Sequence, residues 1–369
     1  MTKTKKIIIV AGEESGDMYA ANIIKNFSKR KEIIFYGMGS SKVKETNIEI
    51  LVDSSELSVL GLIEIIKMYP RLLYALRTMK KSISSIRPDL LILIDYQEFN
   101  MKLARYAKSI GIKVLFYISP QVWAWRENRI KNIKNYIDEM AVIFPFEEKY
   151  YKNLGVKATY VGHPLLNNND YKKVLNQKKE YIGFFPGSRL NEIKKHLPLI
   201  NQIIEHLHNK FPKENFLISS SNNINKKIFD SDFYKKKYVN VVSSKNIYET
   251  IDMCKIAVAA SGTITLQIAL KKIPMCVFYR LSNITYLIAK ILVKTKFISL
   301  VNIVLNKEAV KEFVQKDASC KSISDELIKI KEDNHYRNKI ISDYEILEKK
   351  LSDDSSKENI IDVIERLIK

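Results

Sequence analysis

The sequence is poor in glycine, proline and cysteine. Its 369 residues include 11 glycines, 9 prolines and 3 cysteines, and glycine and proline both lie well below their average shares of about 7% and 5%. Gly-rich or Pro-rich linkers are therefore excluded, so any junction between domains must be short and of ordinary composition. Cys254, Cys276 and Cys320 are odd in number and form no CxxC pair, which argues against a disulfide framework and predicts a reducing cytosol.

Signals for a metal centre and for secretion are also absent. The five histidines form no HExxH motif and lie near no cysteine pair, so we expect no metal ion. The N-terminal MTKTKK runs directly into an apolar segment without a small-residue cleavage site, which gives no sign of a secretory signal peptide. An apolar fraction of 46% with 28% charged residues excludes a disordered chain.

The charge is one-sided, with 61 basic and 41 acidic residues and a formal charge of +20. Two stretches without acids, 67–87 and 271–307, contain six and seven bases. A basic nucleic-acid-binding protein is one interpretation, but the bases alternate with aliphatic side chains and no RNA- or DNA-binding motif is present. We therefore favour anionic lipids and phosphorylated sugars as partners and expect no nucleic acid.

Short apolar segments alternate with amphipathic ones, which is typical of βαβ units around parallel sheets. The predicted strands form two series, 6–11, 32–36, 90–94, 113–118 and 140–144, then 181–185, 215–220, 239–243, 256–260 and 275–279. Between the series, 164–180 has an Asn cluster and no periodicity, which predicts a connection. After about residue 307 we predict helices only, at 307–315, 323–331, 335–350 and 357–368.

These patterns predict an α/β fold with two doubly wound halves facing a cleft. We expect an N-terminal domain at 1–166 and a second domain at 178–345. A C-terminal helical segment, 346–369, is expected to pack back on the N-terminal domain or on a partner chain. Because ligands of open α/β sheets bind at the carboxyl ends of the strands, the residues just after each strand are the candidates for a site.

Two loops of the first half combine polar side chains with a strand end. The loop Gly12-Glu13-Glu14-Ser15-Gly16-Asp17 allows a tight turn before a helix. Its adjacent carboxylates favour a hydroxyl-rich ligand over a phosphate, and the alternative is a turn in which Asp17 caps the helix. Asp95 directly follows the strand LLILI. It is either a partly desolvated general base or another helix cap.

Two loops of the second half carry hydroxyl groups at predicted helix starts. Gly187-Ser188-Arg189 offers a small residue, a hydroxyl and a guanidinium, which together indicate a diphosphate site. Ser261-Gly262-Thr263 follows the strand KIAVAA. The pair favours the phosphates of a nucleotide. Neither loop is a P-loop or a GxGxxG motif, which disfavours NTPases and dinucleotide enzymes.

An apolar segment at 57–66 leads into the first basic stretch. It is too short and too charged to span a bilayer. With the leucines and bases that follow, it resembles an interfacial amphipathic element, and a core helix with a solvated basic face is the alternative. The candidate membrane contacts are Leu72, Leu73, Leu76, Arg77, Lys80 and Lys81.

Seven strings, in order, resemble those of the lipid-A-disaccharide synthases, glycosyltransferase family 19 of the GT-B superfamily. They are AGEESGD (11–17), SPQVWAWR (119–126), FPFE (144–147), VGHPL (161–165), PGSRLNEI (186–193), SGTITLQ (261–267) and LVKTKFISLVN (292–302). SPQVWAWR is the most specific, since it holds both tryptophans of the chain. The resemblance implies the GT-B fold, with two Rossmann-like domains, and the joining of 2,3-diacylglucosamine from UDP-2,3-diacylglucosamine to 2,3-diacylglucosamine 1-phosphate (lipid X), which gives a β-1,6 disaccharide and UDP by inversion.

The resemblance also implies roles for single residues, and Asp95 matches the family's favoured general base. The UDP-sugar is expected to contact Gly187, Ser188, Arg189, Glu192, Ser261, Gly262, Thr263, Gln267, Arg280, Asn302 and Gln315. The acceptor side is expected to include Gly12, Glu13, Ser15, Gly16, Asp17, Asn100 and Trp123. No cofactor or metal is implied, because the UDP-sugar is a substrate. We expect a cytoplasmic enzyme that is peripheral on the cytoplasmic face of the inner membrane. The resemblance also suggests a homodimer.

The sequence departs from the family pattern at three sites. Tyr96-Gln97-Glu98 stand where the family has Ala-Pro-Asp, and Val301 replaces a proline. Gln267 stands where a glutamate is usual, so it keeps a carbonyl acceptor but loses the charge. A UDP-N-acetylglucosamine 2-epimerase and a peptidoglycan lipid glycosyltransferase are alternatives on the same fold. The SPQVWAWR loop and the absence of a GGS-type donor loop disfavour both.

Overall fold

The computed structural model describes the chain in ten ranges, 4–57, 62–120, 129–167, 171–172, 179–220, 226–243, 246–281, 286, 295–352 and 358–369. Contacts divide the chain into two units, Met1–Pro164 with Asp353–Lys369, and Leu165–Ser352. The division lies at the start of the predicted connection, most of which falls outside the described residues.

In the described part of the first unit, seven strands form one parallel sheet. They are β1 (Lys5–Ala11), β2 (Ile33–Gly39), β3 (Glu49–Asp53), β4 (Leu90–Ile94), β5 (Val114–Tyr117), β6 (Glu139–Val142) and β7 (Ala158–Tyr160). The helices along this part of the chain are α1 (Glu14–Asn26), α2 (Ser41–Lys44), α3 (Leu62–Ile86), α4 (Gln97–Ser109), α5 (Ile130–Tyr136), α6 (Pro145–Asn153) and α7 (Pro164–Asn167), with a 3-10 helix at Ser54–Leu57. The strand order is β3-β2-β1-β4-β5-β6-β7.

The second unit repeats this architecture with six strands in its described ranges. They are β8 (Tyr181–Phe185), β9 (Asn215–Ser219), β10 (Val239–Val242), β11 (Cys254–Ala260), β12 (Met275–Tyr279) and β13 (Glu312–Val314), in the order β10-β9-β8-β11-β12-β13. The helices are α8 (Leu190–Lys210), α9 (Ile247–Asp252), α10 (Thr263–Leu270), α11 (Leu300–Leu305), α12 (Cys320–Glu332) and α13 (Asn334–Leu351), with 3-10 helices at Lys226–Phe229 and Asp232–Lys235.

The last helix, α14 (Ile360–Ile368), belongs to the first unit. Residue 346, the predicted start of the C-terminal segment, lies inside α13 of the second unit.

The central strands are apolar at every position because a parallel sheet is covered on both faces. All five residues of β4 are buried, and its neighbour β1 is buried from Ile7 to Ala11. Leu91 and Phe116 of the sheet pack in one core with Leu103 of α4 and Met79 of α3. This core fixes the sheet, and with it the positions of the loops at the carboxyl ends of the strands.

Both sheets reverse their strand order at one place. In the first unit the chain moves outward from β1 through β2 and β3, then returns to pair β4 with the other side of β1. In the second unit β8 and β11 have the same relation. The expected α/β fold with two Rossmann-like doubly wound units is confirmed. Ligands of such sheets bind where the order reverses.

Three strands at the margins of the sheets are not in the predicted set. These are β3, β7 and β13. The predicted helix at 307–315 is wrong, because Glu312–Val314 pairs in parallel with Val277–Tyr279 of β12. The prediction of helices only after residue 307 fails for the same reason.

The helix α3 contains the candidate membrane contacts, and its leucines are less exposed than expected. Leu76 is 9% exposed and belongs to the core, and Leu72 packs against that core. Both residues therefore serve packing within the unit. Among the described side chains of this helix, the exposed large hydrophobic residues are Tyr69 at 55% and Tyr74 at 72%. Within the described ranges, no helix is long and apolar enough to cross a membrane.

Candidate active site

The reversal point of the first sheet brings Asp95 and the loop after β1 together. A Cβ atom added to Gly12 would lie 2.3 Å from a ring carbon of Tyr96, so only glycine allows the first loop to lie against this ring. Burial, helped by the negative charge of Glu13, raises the pKa of Tyr96. Gly12, a candidate because it follows β1, is therefore required at this position for steric reasons.

The backbone at Asp95 is strained, and hydrogen bonds from neighbouring residues stabilise it in this conformation. Asp95 and Tyr96 have φ angles of 46° and 42°, a left-handed conformation that costs roughly 1–2 kcal/mol per non-glycine residue. The Nδ2 group of Asn100 donates hydrogen bonds to the carbonyl oxygens of Ile94 at 3.1 Å and Asp95 at 2.8 Å. The backbone N–H of Asp95 also donates to Tyr117 O at 3.1 Å. Strain that is held in this way clusters at functional sites.

Asp17 has a structural role instead of facing a ligand. Its side chain is 1% exposed, and its carboxylate accepts hydrogen bonds from the backbone N–H groups of Ser40 at 2.5 Å and Lys42 at 2.7 Å. It therefore holds the start of α2, whereas α1, the helix that it was expected to cap, already begins at Glu14. The predicted acceptor contact of Asp17 does not fit this geometry.

The other predicted acceptor residues differ in exposure. Glu13 and Ser15 are exposed, whereas Gly16 is buried. Asn100 is 0% exposed and donates a hydrogen bond to the backbone carbonyl oxygen of Asp95. Trp123 lies outside the described residues.

The start of the tryptophan-containing string is anchored by Glu147, a residue that has no role in the sequence-based predictions. The hydroxyl of Ser119 donates a 2.6 Å hydrogen bond to Glu147, which is 1% exposed and also accepts from the backbone N–H of Phe144 at 3.1 Å. His163 packs on the Phe144 ring at 5.2 Å, and burial lowers the pKa of His163 to about 3. Three of the quoted strings therefore meet at one place.

In the second unit, the loop after β8 is built around Gly187, whose φ angle is 110°. A Cβ atom there would lie 2.8 Å from a carboxylate oxygen of Glu192. Arg189 is the N-cap residue of α8. Its side chain is 59% exposed and lies 3.3 Å from Glu192 Oε1. A helix N-terminus with an exposed guanidinium is suited to an anionic ligand.

Glu192 links this helix to the end of β12. The hydroxyl of Tyr279 donates a 2.6 Å hydrogen bond to Glu192 Oε1, and burial together with this bond raises the pKa of Tyr279. Glu192 therefore links α8 to β12. Because its carboxylate already accepts this hydrogen bond, fewer of its lone pairs can accept from a nucleotide.

The loop after β11 is only partly as predicted. The Ser261 hydroxyl donates to Ile298 O at 2.6 Å, so it supports the chain ahead of α11. Gly262 has a φ angle of 155° and precedes the first residue of α10, Thr263, which is exposed. Gln267 lies one turn further along α10 and is partly exposed. Of the predicted residues of this loop and of α10, Thr263 and Gln267 are still placed to contact a ligand.

Two polar residues that the resemblance places against the donor are engaged within the unit. Asn302 is 0% exposed, and its amide donates to Val310 O and Glu312 and accepts from the N–H groups of Ala309 and Val310. Gln315 exchanges two hydrogen bonds with the backbone of Leu281, at 2.7 and 3.3 Å. Asn302 and Gln315 therefore hold the fold.

The guanidinium of Arg280 donates to Ala318 O through Nε, at 3.0 Å, and through a terminal nitrogen, at 2.5 Å. Since a guanidinium has five N–H donors, Arg280 keeps donors for a ligand. Among the described residues, no group of three or more His, Cys, Asp or Glu is placed to hold a metal ion.

The family of the chain follows from comparison with known proteins. A family model described as lipid-A-disaccharide synthetase matches residues 7–364. The chain belongs to the lipid-A-disaccharide synthase family. It is similar to the lipid-A-disaccharide synthase of Coxiella burnetii, with 35% identity over 99% of each chain. A relative from Geobacter sulfurreducens is also 35% identical, over 97% of this chain and 96% of its own.

Solved structures with low identity show the same fold. A UDP-GlcNAc 2-epimerase from Neisseria meningitidis, bound to UDP-GlcNAc, has a TM-score of 0.63 at 12% identity and covers 95% of this chain and 100% of its own. The glycotransferase of kitacinnamycin has a TM-score of 0.65 at 13% identity, over 100% of both chains. The expected GT-B architecture is thus confirmed, and the lipid-A-disaccharide synthase family makes the protein a glycosyltransferase of lipid A biosynthesis.

The residues at one departure from the lipid-A-disaccharide synthase pattern contact Arg129 in the structure. Gln97 and Glu98 open α4 directly after Asp95 and Tyr96. Arg129, the first described residue after the tryptophan-containing string, donates a 3.0 Å hydrogen bond to Gln97 and forms an ion pair with Glu98. These replacements therefore tie the chain at Arg129 to the helix that follows Asp95.

Proposed function

We propose that this enzyme transfers 2,3-diacylglucosamine from UDP-2,3-diacylglucosamine to 2,3-diacylglucosamine 1-phosphate (lipid X). The products are the β-1,6-linked disaccharide 1-phosphate and UDP. Membership of the family supports the class of reaction. The observation that carries the assignment of roles is the position of Asp95, at the reversal point of its sheet and in a backbone held by Asn100.

The proposed reaction is a direct displacement with inversion. Asp95 takes the proton from the acceptor 6-hydroxyl while that oxygen attacks the anomeric carbon of the donor. The sugar becomes oxocarbenium-like as its bond to the UDP oxygen breaks. Arg189 and the backbone N–H groups at the start of α8 stabilise the negative charge that builds on the β-phosphate.

The proposal is tested with purified protein, UDP-2,3-diacylglucosamine and lipid X, with separation of the products. Disaccharide and UDP should form in equal amounts and only with both substrates present, and the new linkage should have the β configuration. A parallel reaction with UDP-N-acetylglucosamine alone examines epimerisation. Absence of disaccharide, or conversion of UDP-N-acetylglucosamine to its 2-epimer, would overturn the proposal.

Replacing Arg189 with alanine should weaken UDP binding by roughly tenfold or more. A charge-assisted hydrogen bond contributes about 1.5–3 kcal/mol, and 1.4 kcal/mol corresponds to a factor of ten. The measurement is the Kd for UDP by calorimetry. Lys195→Ala is the matched control, since Lys195 is an exposed cation on the same helix. Equal UDP affinity of the Arg189 and Lys195 variants would contradict a phosphate role for Arg189.

We also propose that α3 contacts the cytoplasmic face of the inner membrane, since both substrates are lipids with anionic groups. The exposed Tyr69 and Tyr74 share this helix with the exposed bases Arg71, Arg77 and Lys81. Aromatic rings and cations are the groups that favour the interface of an anionic bilayer. Lys80 lies instead over the ring of Tyr106, at 5.3 Å.

The double variant Tyr69→Ser/Tyr74→Ser should bind anionic vesicles about tenfold more weakly, since each ring loses apolar area that the bilayer would bury. Co-sedimentation with phosphatidylglycerol-containing vesicles measures the partition coefficient. Ile346→Ser is the control, because Ile346 is also an exposed apolar residue, at 42%, but lies on α13. An undiminished partition coefficient for the double variant would refute the contact. Changing Leu72 and Leu76 would instead test core packing.

A further inference from the structure

The imidazole of His196 connects two loops of the second unit. His196 lies on α8 and is 0% exposed. Its Nδ1 atom lies 2.7 Å from Pro186 O in the loop after β8. Its Nε2 atom accepts a 3.2 Å hydrogen bond from the backbone N–H of Arg280, directly after β12. One side chain thus bonds to the backbone at the carboxyl ends of two strands.

The two partners fix the protonation of the ring. A carbonyl oxygen can only accept and a backbone N–H can only donate, so Nδ1 carries the proton and Nε2 is the acceptor. The ring also packs edge-on against Phe278 at 4.7 Å and Tyr279 at 5.5 Å. Burial lowers the pKa of His196, which agrees with a neutral ring. Protonation of Nε2 would remove the bond to Arg280.

The loops that His196 joins are not neighbours in the sheet. β11 pairs with β8 on one side and with β12 on the other, so about 9.5 Å separates the strands whose ends are connected. The loop that begins at Ser261 follows the strand between them. His196 therefore spans the reversal point at which the nucleotide is proposed to bind.

The same helix face makes a second, parallel connection. Arg189, Glu192 and His196 follow each other at helical spacing, three and four residues apart. Glu192 bonds to the side chain of Tyr279 and His196 to the backbone of Arg280, so two consecutive residues of one strand end are tied to two consecutive turns of α8. From the sequence the histidines are expected to bind no metal ion and His196 has no predicted role, although its spacing of four residues from Glu192 places both side chains on one helix face.

We propose that His196 is a positioning residue of the donor site, which holds the loop after β8 and the loop after β12 at the spacing that a nucleotide diphosphate requires. The inference depends on the proposed function, because it assumes that UDP binds at these loops. His196 acts through the backbone of Pro186 and Arg280. It sets where the N–H groups near Ser188 and the guanidinium of Arg280 meet the phosphates.

The test measures UDP affinity and steady-state kinetics for three variants. His196→Leu removes both hydrogen bonds. His196→Asn places an amide nitrogen near the position of Nδ1 and can keep the bond to Pro186, whereas His196→Gln places an amide oxygen near Nε2 and can keep the bond to Arg280. His208→Leu is the matched control, since His208 lies on the same helix but stacks on Tyr238 at 3.6 Å, away from both loops.

We expect the leucine variant to bind UDP at least about tenfold more weakly and to raise KM for the donor by a similar factor, with kcat within about twofold of the wild type. The asparagine and glutamine variants should recover part of the affinity, and His208→Leu should match the wild type. A residue that serves stability alone would lower the fraction of active protein without changing KM.

Wild-type affinity for every folded His196 variant would overturn the inference, and so would equal losses in the His208 control. If the leucine variant does not fold, the UDP affinities of the asparagine and glutamine variants, compared with the wild type, test the inference. Failure of the wild type itself to bind UDP would refute the proposed function, which is a separate outcome measured first.

Discussion

Replacing Asp95 with asparagine should lower the rate of disaccharide formation by about 10²- to 10⁴-fold, the usual contribution of a general base. The amide has the same shape as the carboxylate but cannot take the proton from the acceptor hydroxyl. UDP affinity should stay unchanged, because the proposed nucleotide contacts lie on the other unit. Single-turnover rates with saturating substrates and calorimetry with UDP measure the two quantities.

Asparagine is a better probe than alanine at this position because of the backbone. Asp95 has a φ angle of 46°, and asparagine tolerates left-handed backbone better than alanine does. An alanine variant would therefore combine loss of the base with additional backbone strain. The asparagine variant isolates the chemistry, and its melting temperature should equal that of the wild type.

Asp89→Asn is the matched control for this variant. Asp89 lies just before the opposite end of β4, where its carboxylate accepts a 2.9 Å hydrogen bond from the backbone N–H of Lys6 and pairs with the Lys5 side chain at 3.5 Å. Its replacement should leave the transfer rate unchanged. A transfer rate for Asp95→Asn within about threefold of the wild type would remove Asp95 from the proposed mechanism.

The parts of the fold that the sequence predicts are those that a buried parallel sheet imposes on composition. LLILI at 90–94 is apolar throughout because both faces of β4 are covered. The marginal strands lack this signature: β7 has three residues, and β13 reads Glu312-Phe313-Val314. Three residues are too few to show a period of two, so β13 becomes visible only through its pairing with β12.

For the candidate site, too, the sequence predicts some features and not others. Sequence order alone locates the loops after β1, β4, β8 and β11, because each of them directly follows a predicted apolar strand. It does not tell whether a polar side chain faces a ligand or the backbone. From the sequence, Asp17, Asn302 and Gln315 are all expected to contact ligands, but each is bonded to backbone N–H or C=O groups. The partners of Asp17 and Gln315 lie 25 and 34 residues away in sequence, and those of Asn302 lie seven and eight residues away, so each contact depends on how the chain packs.

Replacing Arg366 with leucine should release the C-terminal helix from the first unit, with a loss of about 3 kcal/mol. The guanidinium of Arg366 donates two hydrogen bonds to the carboxylate of Glu139, at 2.8 and 2.7 Å, and the side chain of Glu139 is 0% exposed. Each bond to a charged group contributes about 1.5–3 kcal/mol. The lower part of that range applies here, because Lys157 and Thr159 still bond to Glu139 in the variant.

Hydrogen exchange of the α14 backbone amides measures this loss, and it should become about 10²-fold faster in the variant. Glu365→Gln is the control on the same helix. Glu365 pairs with Arg30 where the two side chains are 24% and 45% exposed, and exposed pairs contribute about 0–1 kcal/mol. Equal exchange rates in the two variants would show that the bond to Glu139 does not hold the helix.

The effect of Arg366→Leu should also depend on pH in a defined direction. Burial alone would raise the pKa of Glu139, but the hydrogen bonds from Arg366, Lys157 and Thr159 outweigh it and lower this pKa from 4.5 to about 2. A carboxylate with a lowered pKa stabilises the folded state above its unfolded pKa and loses that contribution as the pH falls toward the folded value. The difference in unfolding free energy between wild type and variant, from urea titrations, should therefore be constant between about pH 5 and 8 and shrink below pH 4.5. A difference that stays constant down to about pH 2 would mean that the leucine acts through lost packing of the Arg366 side chain, because only the charged carboxylate titrates in this range.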